Sequence, residues 1–416
     1  MAERVVIERL GARADGIGHR GGHAVYVPYG LPGEAALVEG EGSRAQLVSV
    51  ETPSPDRVAP FCPYFGRCGG CLTQHMAWPV YAGWKRAILI DALGQAGLDA
   101  PVEALVDAHG AGRRRITLHA RFEGGKPRVG YMRVRSHELI EIAFCPIAEP
   151  ALKEAPRTAL ALAEPLAAAR KPLDIQLTAT ETGLDVDLRG HGELGSRERQ
   201  ALIAVAGRHD LARLSLHGDV LVERRAPLLR IGKAQLSPAP GGFLQATQAG
   251  EEALASLVVE ACHRAKRVAD LFAGCGPFAL RLAERAEVQA VDGDARSLAA
   301  LDKAARQTPG LRRVTTEARD LFRRPLLSSE LDRFDALVID PPRAGAEAQA
   351  KQLAAAKIPV VVSVSCDAGT FVRDAAILVA GGYRLERVTP VDQFRHSPHL
   401  EIVGVFRREQ RPPRRR

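Results

Sequence analysis

From Val268 to Phe406 apolar, β-branched runs alternate with helical patterns, and nothing else in the chain constrains the fold as strongly. Val268-Ala269-Asp270-Leu271-Phe272, Val288-Gln289-Ala290-Val291, Ala336-Leu337-Val338-Ile339 and Val360-Val361-Val362-Ser363-Val364 read as buried strands. The alternation predicts an α/β domain with a doubly wound sheet over residues 236–416. Such sheets hold ligands at the carboxyl ends of their strands, so chemistry is expected of the residues that end each run.

The first run turns into a helix over Ala279–Arg285 through Ala273-Gly274-Cys275-Gly276-Pro277-Phe278. Gly274 and Gly276 leave room for a ligand against the backbone. The second run ends on Asp292, whose carboxylate can take both hydroxyls of a ribose. Asp320, after the next strand, can hold an adenine or its edge. A Gly-x-Gly whose third glycine is replaced by Ala279 is a weak signal, and the spacing fits NAD as well as S-adenosylmethionine. The third run ends in Asp340-Pro341-Pro342-Arg343, which resembles the substrate-binding strand end of nucleic-acid methyltransferases. The fourth delivers Cys366. Asp367 and Thr370 then offer caps to a helix beginning near Phe371. Backbone N–H donors at such a strand end favour a thiolate, so Cys366 reads as a nucleophile. Taken alone, a cysteine there is more often a buried packing residue. The closing strand, Ile402–Phe406, is preceded by Glu401, which on its own reads as solvated surface.

A chain of 416 residues exceeds what one core usually holds. Residues 1–58 show four short strands, Val5–Ile7, Ala24–Val27, Ala35–Val38 and Ala45–Val50, with Gly16-Ile17-Gly18 and Gly21-Gly22 as turns. They predict an OB-like β-barrel. Arg13, His19, Arg20 and Arg44 give it either a nucleic-acid face or ordinary solvated charge. Residues 59–235 read as an α+β middle domain. Cys62, Cys68 and Cys71 form C-x5-C-x2-C, and Cys145 follows much later. In a reducing compartment such a cluster points to metal rather than disulfides. Four thiolates suit zinc or an iron–sulfur cluster, and the unequal spacing favours the latter. His75 reads as a packing residue, and a helix is expected over Tyr81–Ala96. Arg113–Arg121 reads as a basic strand whose arginines, with Tyr131, either grip phosphates and stack a base or guard a sheet edge. The formal charge of +8 suits a polyanionic partner. No apolar run is long enough to span a bilayer, and Met-Ala-Glu-Arg is no signal segment, so a cytoplasmic address without membrane contact is expected.

Taken together, these residues resemble the RNA 5-methyluridine methyltransferases that carry an iron–sulfur cluster. The shared pieces are C-x5-C-x2-C with a distant Cys-Pro-Ile, Asp-Pro-Pro-Arg-x-Gly, and Ser-Cys-Asp-x-x-Thr-x-x-Arg-Asp, in order along nearly the whole chain. Val27–Glu34 and Ser54–Val58 resemble a TRAM domain, a small RNA-binding barrel. The resemblance implies S-adenosyl-L-methionine as methyl donor, held by Gln245, Phe272, Gly274, Gly276, Asp292, Asp340 and, less firmly, Asp320. It implies Cys366 as nucleophile, Glu401 as base, and Asp340, Arg343 and His399 at the substrate. It also implies a 4Fe-4S cluster on Cys62, Cys68, Cys71 and Cys145. The expected partner is RNA, ribosomal first and transfer RNA second, and the expected state is a monomer. A non-catalytic RNA-binding protein with a relict donor site is the rival from another class. Ala368, Arg395, Ser397, Ala273 and Pro277 depart from the family pattern, which bears on substrate choice more than on chemistry.

Overall fold

The computed structural model describes residues 2–408; the arginines at 414–416, expected to touch phosphates, lie outside the described residues. The strand and helix runs of the C-terminal half build an eight-stranded sheet. Its order is Val314–Ala318, Glu287–Asp292, Arg267–Leu271, Ala336–Ile339, Val360–Ser365, Glu401–Arg408, Tyr383–Asp392 and Val106–Asp107. The first five are parallel, and Glu401–Arg408 runs against its neighbours on both sides.

Side-chain alternation decides which core each residue joins. Val268, Val288, Val338, Val362, Val364, Val403 and Val405 pack with the helices Gln248–Ala261 and Ala295–Gln307. Leu271, Val291, Leu337, Ile339, Val361, Ile402 and Phe406 pack with Glu347–Ala355 and Ala368–Ala380. Helices therefore cover both faces, as the sequence predicts. The helix following Cys366 begins at Ala368, not near Phe371, because Asp367 is its N-cap and accepts from Thr370 N at 2.9 Å.

The N-terminal sheet has five strands in the order His23–Pro28, Asp15–Arg20, Glu3–Leu10, Ala35–Glu39 and Gln46–Thr52. A bridge between Tyr26 and Arg44 brings its two edges together. Asp15–Arg20 is the strand that the glycines disguise as a turn. A Cβ on Gly18 would stand 2.3 Å from Val6 O, and one on Gly16 would stand 2.7 Å from Gly30 O. Only glycine lets these chains pass so closely.

The middle segment forms a seven-stranded sheet from Asp219–Glu223 at one edge to Leu139–Glu141 at the other. The helices Ala155–Ala163 and Ser196–Arg208 pack on it through Leu162, Leu202 and Val205. Within the expected 59–235 segment, the helix Trp78–Gln95 and the strand Val106–Asp107 join the large sheet instead. Leu89 and Leu93 enter its core, and Val106 pairs with Val391. Tyr81 Oη and Lys85 Nζ each meet Asp392 at 2.7 Å, with all three side chains buried. No described helix is long and apolar enough to cross a membrane.

Candidate active site

Strand register brings the two expected catalytic residues together. Val364 pairs with Val403 and Ser365 with Ile402, so the next rung sets Cys366 opposite Glu401. Ile339 pairs with Ser363 one strand over, which places Asp340 beside the same end. Cys366 is half-buried and Glu401 is buried at 4% exposure. Burial, then the nearby Glu401 and Asp340 carboxylates, push the Cys366 thiol up to about 11, and Arg343 beside it acts the other way. The expected thiolate-favouring site is thus not what the resting protein offers, because burial and two acids from neighbouring strands outweigh the helix start. Burial also raises Glu401 to about 7, against the lowering effects of Gln393, Arg343 and Lys85. The same cause, reinforced by Glu401, holds Asp340 well above the usual carboxylate range.

Arg343 Nη2 lies 3.2 Å from the His399 ring nitrogens, and burial with the nearby cations keeps that ring neutral. Gln245 Nε2 donates to Asp340 Oδ2 at 3.2 Å. Gln393, to which the sequence reading gave no role, lies between Gln245 and Glu401 and is fully buried. A polar residue following the buried Val391-Asp392 strand end was the one available signal.

The donor edge follows the Arg267–Leu271 strand. Phe272 has φ +59°, a left-handed backbone that a bulky residue rarely adopts and that tends to mark functional loops. Its ring meets Phe322 at 5.3 Å, bringing the loop after Asp320 to the same edge. Asp292 accepts from Gly274 N at 2.8 Å and from Asp294 N at 2.7 Å, which fixes its carboxylate at the strand end. Asp320 Oδ1 caps its own turn through Phe322 N and Arg323 N. No atom lies within 4 Å of where a Cβ on Gly274 would sit, so its backbone is open to a ligand. Gly276 differs from expectation: a Cβ there would meet Leu301 Cδ1 at 2.3 Å, so it faces the protein interior. Asp270, just before this loop, is a fully buried carboxyl raised to about 8 by burial, against the lowering effect of the Ala279 backbone N–H. An open backbone, a fixed strand-end acid and an aromatic loop suit a nucleoside-bearing donor.

The arginines expected on a phosphate-gripping strand are largely spent inside the protein. Arg114 donates to Gln245 O at 2.9 Å and to Glu251 Oε2 at 2.6 Å, and Arg115 donates to Gly242 O. They brace the loop that carries Gln245. Arg121 instead lines a groove with Arg128, His137 and Arg170. Arg407 pairs with Glu386, and Arg408 lies over the Tyr383 ring at 4.3 Å.

Cys62, Cys68, Cys71 and Cys145 line one cavity of about 470 Å³. Tyr131 lines it too and hydrogen-bonds Cys145, so it is not presented for stacking a base. Gly70 N donates to Cys68 Sγ at 3.4 Å, and burial pushes the Cys71 thiol up to about 12. Among the described residues no three His, Cys, Asp or Glu side chains converge as they would around one metal ion. Phe243, Leu244 and Ala246 form part of the same wall.

A doubly wound sheet with this donor edge and a strand-end thiol is that of an S-adenosylmethionine-dependent methyltransferase. The fold extends along nearly the whole molecule: a tRNA (uracil-54, C5)-methyltransferase of Pyrococcus abyssi, solved with S-adenosyl-L-homocysteine, superposes with a TM-score of 0.74 over 98% of this chain and 100% of that one, at 22% identity. Residues 197–410 match the family model described as tRNA (Uracil-5-)-methyltransferase. An uncharacterized RNA methyltransferase of Mesorhizobium japonicum is 44% identical over 416 residues, covering 100% of both chains. A 23S rRNA (uracil(1939)-C(5))-methyltransferase of Chromohalobacter salexigens is 33% identical over 98% of this chain and 90% of its own length. The chain belongs to the RNA uracil-C5 methyltransferase family and uses S-adenosylmethionine to methylate RNA.

Proposed function

We propose that the protein methylates C5 of a uridine in large-subunit ribosomal RNA through a transient bond between Cys366 and C6 of the base. The observation that carries this reading is the antiparallel register that faces Cys366 with Glu401. Uracil C5 is too weak a nucleophile to take a methyl group unaided. When Cys366 gives up its proton to solvent and its sulfur adds to C6, the C5=C6 electrons move toward the C4 carbonyl. C5 then takes the electrophilic sulfonium methyl of S-adenosylmethionine; the S–CH3 bond breaks and S-adenosylhomocysteine leaves. Glu401, ionised, then removes the C5 proton, and the C6–S bond breaks. Arg343 lowers the cost of the thiolate and, with Asp340 and His399, is assigned to the uracil edge. The target base must leave its stack to reach a strand-end sulfur, so a loop or opened RNA segment is required.

The four cysteines are assigned to a 4Fe-4S cluster. Four thiols lining one cavity are a donor set that would suit such a cluster. Cys62, Cys68, Cys71 and Cys145 would hold it, and it would tie the Cys62–Cys71 loop to Cys145. The N-terminal barrel is assigned as a TRAM-like RNA-binding module, with Arg13 and Arg44 on a cavity it shares with Arg133 and Arg135. The ribosomal assignment rests on the Chromohalobacter relative.

The test uses labelled S-adenosylmethionine with ribosomal and transfer RNA from a strain lacking the gene. Label in 5-methyluridine of large-subunit RNA is expected, none with Cys366→Ser, and a denaturant-stable protein–RNA adduct with Glu401→Gln. Label confined to transfer RNA overturns the substrate, and full activity of Cys366→Ser overturns the covalent route. Brown colour and visible absorbance from anaerobic protein check the cluster.

A further inference from the structure

We propose that Gln393 is a positioning residue whose single amide orients both Glu401 and the donor-site Gln245. This rests on the reading of Glu401 as the base. Gln393 Oε1 accepts from Ala246 N at 2.8 Å and from Thr247 N at 3.4 Å. Two backbone N–H groups can face only the oxygen of an amide, so its orientation is dictated by the main chain. The NH2 end is left with two hydrogens, and both are spent: Nε2 donates to Gln245 Oε1 at 2.6 Å and to Glu401 Oε1 at 3.0 Å. Gln245 is fixed in turn, its oxygen toward Gln393 and its Nε2 toward Asp340 Oδ2. One chain of amides therefore runs from the backbone at Ala246 to both acids of the site.

The fold makes room for this arrangement. A Cβ on Gly250, in the helix Gln248–Ala261, would stand 2.6 Å from Gln393 Cβ and 2.7 Å from its Oε1. Gln393 itself is wholly buried. A methionine fills the same volume but donates nothing. A glutamate presents acceptors to acceptors.

The charged and titratable groups facing Glu401 are Cys366, Asp340 and Arg343 at the neighbouring strand ends and Lys85 from the helix Trp78–Gln95. Among these, Gln393 supplies a neutral donor to one carboxylate oxygen. Losing it disfavours the ionised base, so the acid limb of the rate profile moves to higher pH.

The experiment measures single-turnover release of free 5-methyluridine RNA against pH, adduct accumulation on denaturing gels, and S-adenosylmethionine affinity. Gln393→Met is expected to shift the acid limb upward by about one pH unit. It is also expected to accumulate the protein–RNA adduct, because proton removal slows after methylation. Gln393→Glu is expected to lose about a hundredfold or more in rate. Gly250→Ala, which displaces the amide without deleting it, gives the same signs should Gln393→Met fail to fold. An unmoved limb and no adduct in folded Gln393→Met, with Glu401→Gln still trapping adduct, overturn this inference alone. Free turnover by Glu401→Gln overturns the base reading and this inference with it.

Discussion

Cys366, the proposed nucleophile, sits in surroundings that work against a thiolate. Burial and two carboxylates hold the thiol protonated, and Arg343 is the cation that relieves this. Replacing Arg343 with Gln is therefore expected to slow methylation about tenfold or more at pH 8. Alkylation of Cys366 by iodoacetamide without RNA should slow in parallel and need higher pH. Glu401 gives a second test. Its folded value near 7 lies above its unfolded value of 4.5. The stability this contributes is full below about pH 4.5 and is lost as pH rises through 7. Glu401→Gln should thus match the parent in urea unfolding at pH 4 and exceed it by roughly 2 kcal/mol at pH 8. Cys366 and the strand-end acids could be singled out from motifs, and Glu401 only through the family resemblance. The direction of the thiol's shift could not be, because its causes arrive from strands 26 and 35 residues away.

Elements were legible where one periodicity dominated. The buried parallel strands were visible as β-branched runs, whereas Asp15–Arg20 was hidden by glycines that exist for close chain passage. The arginines 114 and 115 read as an exposed basic strand, since sequence does not reveal that Glu251 and the 242–246 loop lie against them. The helix Ala368–Ala380 shows how local signals set energetics. Asp367→Ala removes its cap and should cost about 1 kcal/mol in denaturant unfolding. Across the sheet, a Cβ on Gly404 would stand 2.7 Å from the Phe371 ring of that helix. Gly404→Ala should cost roughly 1–3 kcal/mol by the same measurement, because the ring cannot retreat from a packed core.

At the scale of the molecule, the helix Trp78–Gln95 is tied to the large sheet by a buried network. Lys85 meets Asp392, and it also bonds the His399 carbonyl. Lys85→Met leaves Asp392 buried without its cation and should cost about 3–5 kcal/mol, read from the urea midpoint. Domain boundaries drawn from composition could not show this, since the partners lie 307 residues apart. The closing strand has a further consequence. Ile402 and Phe406 enter one core while Val403 and Val405 enter the other, so sliding by one position would invert every side chain. Glu401 is thereby held by the strand behind it and not by the turn in front. Arg395 and Ser397, where this chain leaves the family pattern, lie in that turn, where Arg395 stacks over Trp78 and Ser397 is buried. The turn and the strand end are therefore anchored separately.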